Sequence, residues 1–470
     1  LPEPSRMLRL NDKEWYIGVA AARGVEITIR DLSLEIGDEK QAARRERFKM
    51  PQKKPELSLL RRTAAAGEAF ELPFYTETAG RLSLRTEDGR IYSGDTEASS
   101  VKTFTLPAAE EGEQQIRWQF TDEDGGEIEG KERLSCRRLQ TEKGSLFIAP
   151  QGRPEAAGSR EDPYDLPTVL AYARPGLSAE LLPGRYVFKE ALEIPYGVSG
   201  RPDAPVRLFC REGEALIDFA SEGGPFLVNG DYWRLENIRF SRSRADRSAI
   251  KVGGSYNHFK HIVCSGNGNT GFQITGPEQW KRAYWPKENK VFFSVSSDNA
   301  DPGQNNADGF AAKLACGEGN AFTGCIAYNN IDDGWDLYSR IENGPIGAAE
   351  ISYCLGSRNG RNLAKTLQAD GNGFKLGGEG IPIPHRLRHS LAVENDVDGI
   401  TSNSNPALIL ENSVSAASGG RNFAVYGQGE EASAAKASEC LSAEGTLPDL
   451  LPAPWGEEEV RESSKSAKQI

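Results

Sequence analysis

Ala307-Asp308-Gly309-Phe310-Ala311-Ala312-Lys313 is answered one repeat later by Asp332-Asp333-Gly334-Trp335-Asp336-Leu337. Three further segments keep the same phase: Thr270-Gly271-Phe272, Asn372-Gly373-Phe374 and Asp398-Gly399-Ile400. A second series runs in register with the first. Val263, Val295, Ile326, Leu355 and Leu391 each open a short strand-like piece, followed four residues later by Asn267, Asn299, Asn330, Asn359 and Asn395. The spacing of 29 to 36 residues is that of a repeat architecture. Strands this short, with 50 glycines in the chain, predict an all-β solenoid, a parallel β-helix, rather than stacked helices. Stacked Asn would hydrogen-bond from coil to coil, and Phe272, Phe310, Trp335 and Phe374 would form an internal ladder.

In such a solenoid, equivalent residues of successive coils lie one strand spacing apart, about 4.8 Å. Asp308 and Asp333 become stacked neighbours, flanked by Asp332 and Asp336, so four carboxylates crowd within 29 residues. Ion-free, they repel, which raises their pKa values or calls for a cation. An oxygen-rich set of this kind suits calcium, whereas magnesium takes fewer carboxylates and keeps more water. The residue after each aromatic defines a further ladder: Gln273, Ala311, Asp336, Lys375 and Thr401. Lys375 thereby falls one coil from Asp336. The plain reading is a salt bridge, worth little at a surface. The functional reading is that a cation on Asp336 lowers the lysine pKa and lets Lys375 act as a general base. Calcium beside a basic lysine on a groove fits β-elimination from a uronic acid polymer, in which Lys375 removes the C5 proton and the C4 oxygen leaves.

Composition bounds the alternatives. The 470 residues carry a formal net charge of −12, which disfavours a nucleic-acid partner, and no apolar run is long enough to span a bilayer. Seven cysteines without CxxC spacing argue against a zinc ribbon or a dense disulfide framework. His258, His261, His385 and His389 have no metal-ligand spacing. The first residues, Leu1-Pro2-Glu3-Pro4, suggest a chain starting after a processed signal or inside a longer polypeptide.

Four regions are expected. Residues 1–56 hold alternating strands, as in Val25-Glu26-Ile27-Thr28-Ile29-Arg30, and a basic linker; they are the end of an upstream sandwich or an accessory layer. Residues 57–141 suggest a small immunoglobulin-like antiparallel β-sandwich with Trp118 in its core. Residues 142–430 form the β-helix, with a helix at Leu166 to Ala173 capping its open end. After Gly427 the repeat is lost, and 431–470 read as a polar tail.

The segments at Asp308, Asp332 to Leu337 and Gly371-Asn372-Gly373-Phe374-Lys375-Leu376 resemble the signature of polysaccharide lyase family 9, the pectate lyases built on a right-handed parallel β-helix. The resemblance spans roughly Gly144 to Gly427 and implies calcium ligands at Asp308, Asp332, Asp333 and Asp336 and a lysine base at Lys375. It also implies a secreted or cell-surface enzyme that acts on polygalacturonate or a related acidic polysaccharide, giving 4,5-unsaturated products. Lys313, and more weakly Arg361, are candidates for holding substrate carboxylates; Glu394, Asp396 and Asp398 are candidates for a second calcium. The expected assembly is a monomer or part of a longer multidomain chain. Two alternatives stay open: a glycoside hydrolase on the same scaffold, needing a spaced pair of carboxylates, and a non-catalytic, calcium-stabilised carbohydrate-binding or adhesin solenoid.

Overall fold

The computed structural model describes residues 56–141, 145–360, 370–427 and 435–443. The alternating strands and basic linker expected within residues 1–55 lie outside them. The first described region is two facing sheets. One has three strands, Leu57–Leu59, Phe70–Thr76 and Ser100–Leu106; the other has five, including the long hairpin Gly112–Asp122 and Glu127–Arg137. Alternation along each strand sends Leu72, Phe74, Leu82, Leu84, Phe120 and Leu134 into one core. Trp118 lies at the edge of that core, half-buried.

From Ser145 onward the chain winds into a parallel β-helix of three faces. One face is a nine-stranded sheet: Leu192–Ile194, Phe226–Val228, Ile250–Val252, Phe272–Ile274, Phe310–Ala312, Trp335–Asp336, Phe374–Lys375, Ile400–Thr401 and Phe423–Ala424. The other two faces run side by side, and the longer strands Trp233–Ser241 and His258–Ser265 pass continuously from one to the next. Tight corners explain how so few residues make a coil. Residues such as Asp298, Asn329, Arg358 and Glu394 adopt positive φ just before the Asn of each turn.

Those Asn are buried and chained. Asn267 donates to Asn299 (2.9 Å), Asn299 to Asn330 (2.8 Å), Asn330 to Asn359 (2.9 Å) and Asn359 to Asn395 (3.0 Å). A second ladder, not anticipated, joins Asn257, Asn289 and Asn320 at another corner. The aromatic ladder stands inside the nine-stranded sheet, with centroids 5.1 Å apart for Phe310 and Trp335 and 4.7 Å for Trp335 and Phe374, both stacked. Because each Asn serves two coils, Asn330→Ala is expected to cost about 2–3 kcal/mol by orphaning buried groups on Asn299 and Asn359. Urea unfolding of both proteins in chelator measures that difference.

The helix occupies Leu166–Tyr172, capped by the Asp165 side chain, which accepts from Thr168 N at 2.9 Å. It fills the junction with the sandwich: Thr63 Oγ1 donates to Ala171 O (2.6 Å) and Tyr172 OH to Ser135 Oγ (2.7 Å). Further along, Tyr75 of the sandwich stacks on Trp280 at 5.5 Å. At the other end the coil outlasts the expectation that the repeat stops after Gly427. Lys436–Ser438 and Leu441–Ala443 extend two faces by one more strand each. Their side chains are mostly exposed, so they carry no apolar pattern by which to be read.

Candidate active site

The nine-stranded sheet places the candidate residues. Phe310 pairs with Trp335, Trp335 with Phe374 and Phe374 with Ile400, which puts Asp308, Asp333, Asn372 and Asp398 at one level of the turn preceding the strands. Glycine follows each of them for a reason other than turn formation. A Cβ on Gly334 would sit 2.5 Å from Gly373 O, and one on Gly309 2.7 Å from Gly334 O. The Asp-Gly pair is therefore a carboxylate followed by a position where the next coil approaches too closely for any side chain.

Polar residues at the equivalent position of the flanking coils bond to the two stacked carboxylates. Thr270 Oγ1 donates to Asp308 Oδ2 (3.1 Å), and Asn372 Nδ2 to Asp333 Oδ1 (2.7 Å). Oxygens of Asp308, Asp332 and Asp333 lie within 4.8 Å of one another, all three residues being buried. Asp336 joins them through Lys313, whose Nζ is 2.7 Å from Asp308 Oδ2 and 2.8 Å from Asp336 Oδ2. Lys375 Nζ lies 3.2 Å from Asp333 Oδ2 and 3.0 Å from Asp370 Oδ2. The outward ladder Gln273, Ala311, Asp336, Lys375 and Thr401 has the expected register.

Three expectations are placed differently or not at all. Lys313 is folded into the carboxylate cluster rather than set out along a groove as a holder of substrate carboxylates; the long side chain of a residue five positions after Asp308 simply reaches back. Arg361 lies outside the described residues. Among the described residues Glu394, Asp396 and Asp398 do not converge as a cation cage, and Asp398 Oδ1 accepts from Arg421 N at 2.8 Å. Sequence reasoning missed Asp370, Thr270 and Asn372, although the last two occupy the repeat position of Asp308 and Asp333.

The electrostatics of the cluster are strained. Burial, then the neighbouring Asp333 and Asp308, push the Asp332 carboxyl up to about 10. Burial likewise lifts Asp308 to about 7, with Lys313 pulling against it. Asp333 is also raised, by burial and Asp336 over the opposition of Lys375. Asp336 is held below the usual carboxylate range, because Lys313 and Lys375 outweigh its burial. Burial pulls the Lys375 ammonium down, but Asp333, Asp336, Asp332 and Asp370 together hold it above the ordinary lysine range.

These four carboxyl groups, with Asp370 beside Lys375, outnumber the two ammonium groups when all are ionised. The negative excess calls for a cation, and so do the loose ends. Asp308 Oδ1, Asp332 Oδ1 and Asp336 Oδ1 are buried without a hydrogen-bond partner. Buried carboxylate oxygens left bare are costly, and hard oxygen donors suit calcium. The residues present fit that ion.

A family model described as the Pel9A-like right-handed β-helix region matches residues 146–437. The chain belongs to this family. Within it, the chain is 32% identical over 418 residues to a pectate lyase L of Thermoclostridium stercorarium, covering 87% of this chain and 34% of that protein. It is 36% identical over 318 residues to a pectate lyase L of Paenibacillus polymyxa, covering 65% and 69% of the two chains. The crystal structure of pectate lyase Pel9A superposes with a TM-score of 0.55 at 26% identity, covering 66% of this chain and 83% of that one. The chain thus spans about a third of the length of the first relative. Among the Pel9A-like features, the right-handed coil carries the carboxylate cluster on its nine-stranded face.

Proposed function

We propose that this chain is a calcium-dependent polysaccharide lyase that cleaves polygalacturonate, or a related uronate polymer, by β-elimination outside the cell or at its surface. The observation that carries the reading is Lys375 Nζ in the outward ladder of the sheet, one coil from Asp336 and 3.2 Å from Asp333, beside bare carboxylate oxygens. Its family membership, and the pectate lyases it resembles along most of its length, support the same substrate class.

Asp308, Asp332, Asp333 and Asp336 would hold calcium. Bound there, the ion supplies positive charge beside a substrate carboxylate, which acidifies the C5 hydrogen and favours the negative charge that develops on the carboxylate. The residues do the rest. Lys375 takes the C5 proton; the electron pair forms the C4–C5 double bond, and the C4–O bond breaks to release the leaving chain. No water enters the products. Lys313, held between Asp308 and Asp336, fixes both carboxylates and balances part of their charge. Asp370, half exposed beside Lys375, offers the lysine a proton path to solvent.

The test is ultraviolet absorbance during incubation with de-esterified polygalacturonate. A rise that requires calcium and stops with a chelator is expected, since the unsaturated uronate absorbs. New reducing ends without absorbance would instead indicate hydrolysis.

A further inference from the structure

The outward ladder continues past the carboxylate cluster on its N-terminal side. Ala311 pairs with Gln273, Gln273 with Lys251, Lys251 with Leu227 and Leu227 with Glu193. Lys251 is therefore three coils from Asp336, about 14 Å at the ordinary strand spacing. It is half-buried, and among the described residues its ammonium makes no hydrogen bond or ion pair. Burial pulls the Lys251 pKa down, with Glu278 near enough to oppose that and Arg247 near enough to add to it. A lysine placed this way has lost hydration without gaining a direct ion pair, with Glu278 acting on it only from a distance.

Its neighbour on the ladder is committed in a complementary way. Gln273 Oε1 accepts from Ser248 Oγ at 3.0 Å, which leaves its amide N–H groups as the face offered outward. Two coils beyond Lys251, Glu193 is exposed and holds Asn229 Nδ2 at 3.0 Å, so the cationic stretch ends in a carboxylate. The sheet face thus carries, in order, the four-carboxylate cluster, the buried Ala311, amide donors at Gln273, a half-buried lysine without a direct ion pair among the described residues and, two coils on, a negative end.

We infer that Lys251 is a carboxylate-binding subsite for a uronate unit of the substrate distant from the bond that is cut, with Gln273 donating to a hydroxyl or ring oxygen of the unit between. The inference rests on the proposed action on a uronate polymer. A pyranose unit of an extended chain is about as long as one coil is high, so a chain laid along the axis brings successive units past successive ladder positions. Only one of those positions on this side is cationic, so the subsite reads a carboxylate at one unit and tolerates an esterified neighbour.

The experiment compares wild type, Lys251→Ala, Lys251→Arg and, as a surface control, Lys260→Ala, which removes an exposed ion pair with Glu236 on another face. Initial rates are measured on polygalacturonate and on a trigalacturonate, and retention is measured in native gels containing polygalacturonate or its fully methyl-esterified form. Lys251→Ala is expected to raise KM for the polymer about tenfold with kcat little changed, the loss typical of one charge-assisted hydrogen bond. Lys251→Arg should restore most of it, and trigalacturonate, too short to span cluster and subsite, should not distinguish the variants. Gel retention should fall for Lys251→Ala on the acidic polymer and be unchanged on the ester. An unchanged KM for the polymer, or equal loss on trigalacturonate, overturns the subsite. Absence of unsaturated product from wild type would instead overturn the lyase reading, and the gel comparison would still decide whether Lys251 binds carboxylate.

Discussion

Replacing Lys375 by alanine is expected to slow elimination by about a thousandfold, within the range that a lost general base produces, while calcium still stabilises the fold. The ion's candidate ligands are carboxylates, and among the described residues Lys375 pairs with Asp333 and Asp370. Lys375→Arg sharpens the test. Arginine preserves the positive charge beside Asp333 but does not release a proton in proteins. It should fold, bind calcium and remain as inactive as the alanine variant. Kinetics by absorbance, with calcium-dependent melting measured on the same samples, separates the base from a structural ion pair. A Lys375→Arg protein with more than a tenth of wild-type kcat would remove the base assignment.

The second large effect concerns Asp332, whose carboxyl is raised to about 10 from an ordinary 3.8. Over the pH range between those values the folded protein keeps a proton that the unfolded chain has released. In the calcium-free state this residue therefore makes stability fall as pH rises. Asp332→Asn mimics the protonated acid at all pH values. It is expected to stabilise the calcium-free protein by about 2 kcal/mol at pH 8 and to flatten the dependence of melting temperature on pH. The same substitution should abolish the calcium response. Wild type ought to gain about 2.7 kcal/mol at calcium a hundred times its dissociation constant, and the variant almost nothing. Calorimetry across pH 5–9, in chelator and in calcium, reads both. A variant that melts lower than wild type in chelator, or keeps the full calcium shift, would contradict a cluster of carboxylates in mutual conflict.

Much of this arrangement is legible before any coordinates because a β-helix turns sequence period into contact. Asn330 and Asn359 are 29 residues apart and hydrogen-bonded at 2.9 Å; Trp335 and Phe374 stack in the same way. The carboxylate level is read from the same phase. The second Asn ladder was equally periodic at Asn257, Asn289 and Asn320, but it breaks at Ala349, where His385 Nδ1 accepts the Ala349 N–H instead. A mixed ladder leaves no single letter to count. Lys313 shows another limit: the period fixes where its Cα lies, and four flexible bonds decide that Nζ returns to Asp308 and Asp336. The final strands at Lys436–Ser438 and Leu441–Ala443 are mostly exposed, so backbone pairing continues where side-chain pattern has stopped.

The most direct test of the account is mass spectrometry of the products from a defined oligogalacturonate cleaved in ¹⁸O-labelled water with calcium present. Elimination gives product pairs whose masses sum to that of the substrate, with one member unsaturated and no label in either. Products that together weigh one water more than the substrate, with ¹⁸O at the new end, would contradict it and assign the carboxylate cluster to hydrolysis.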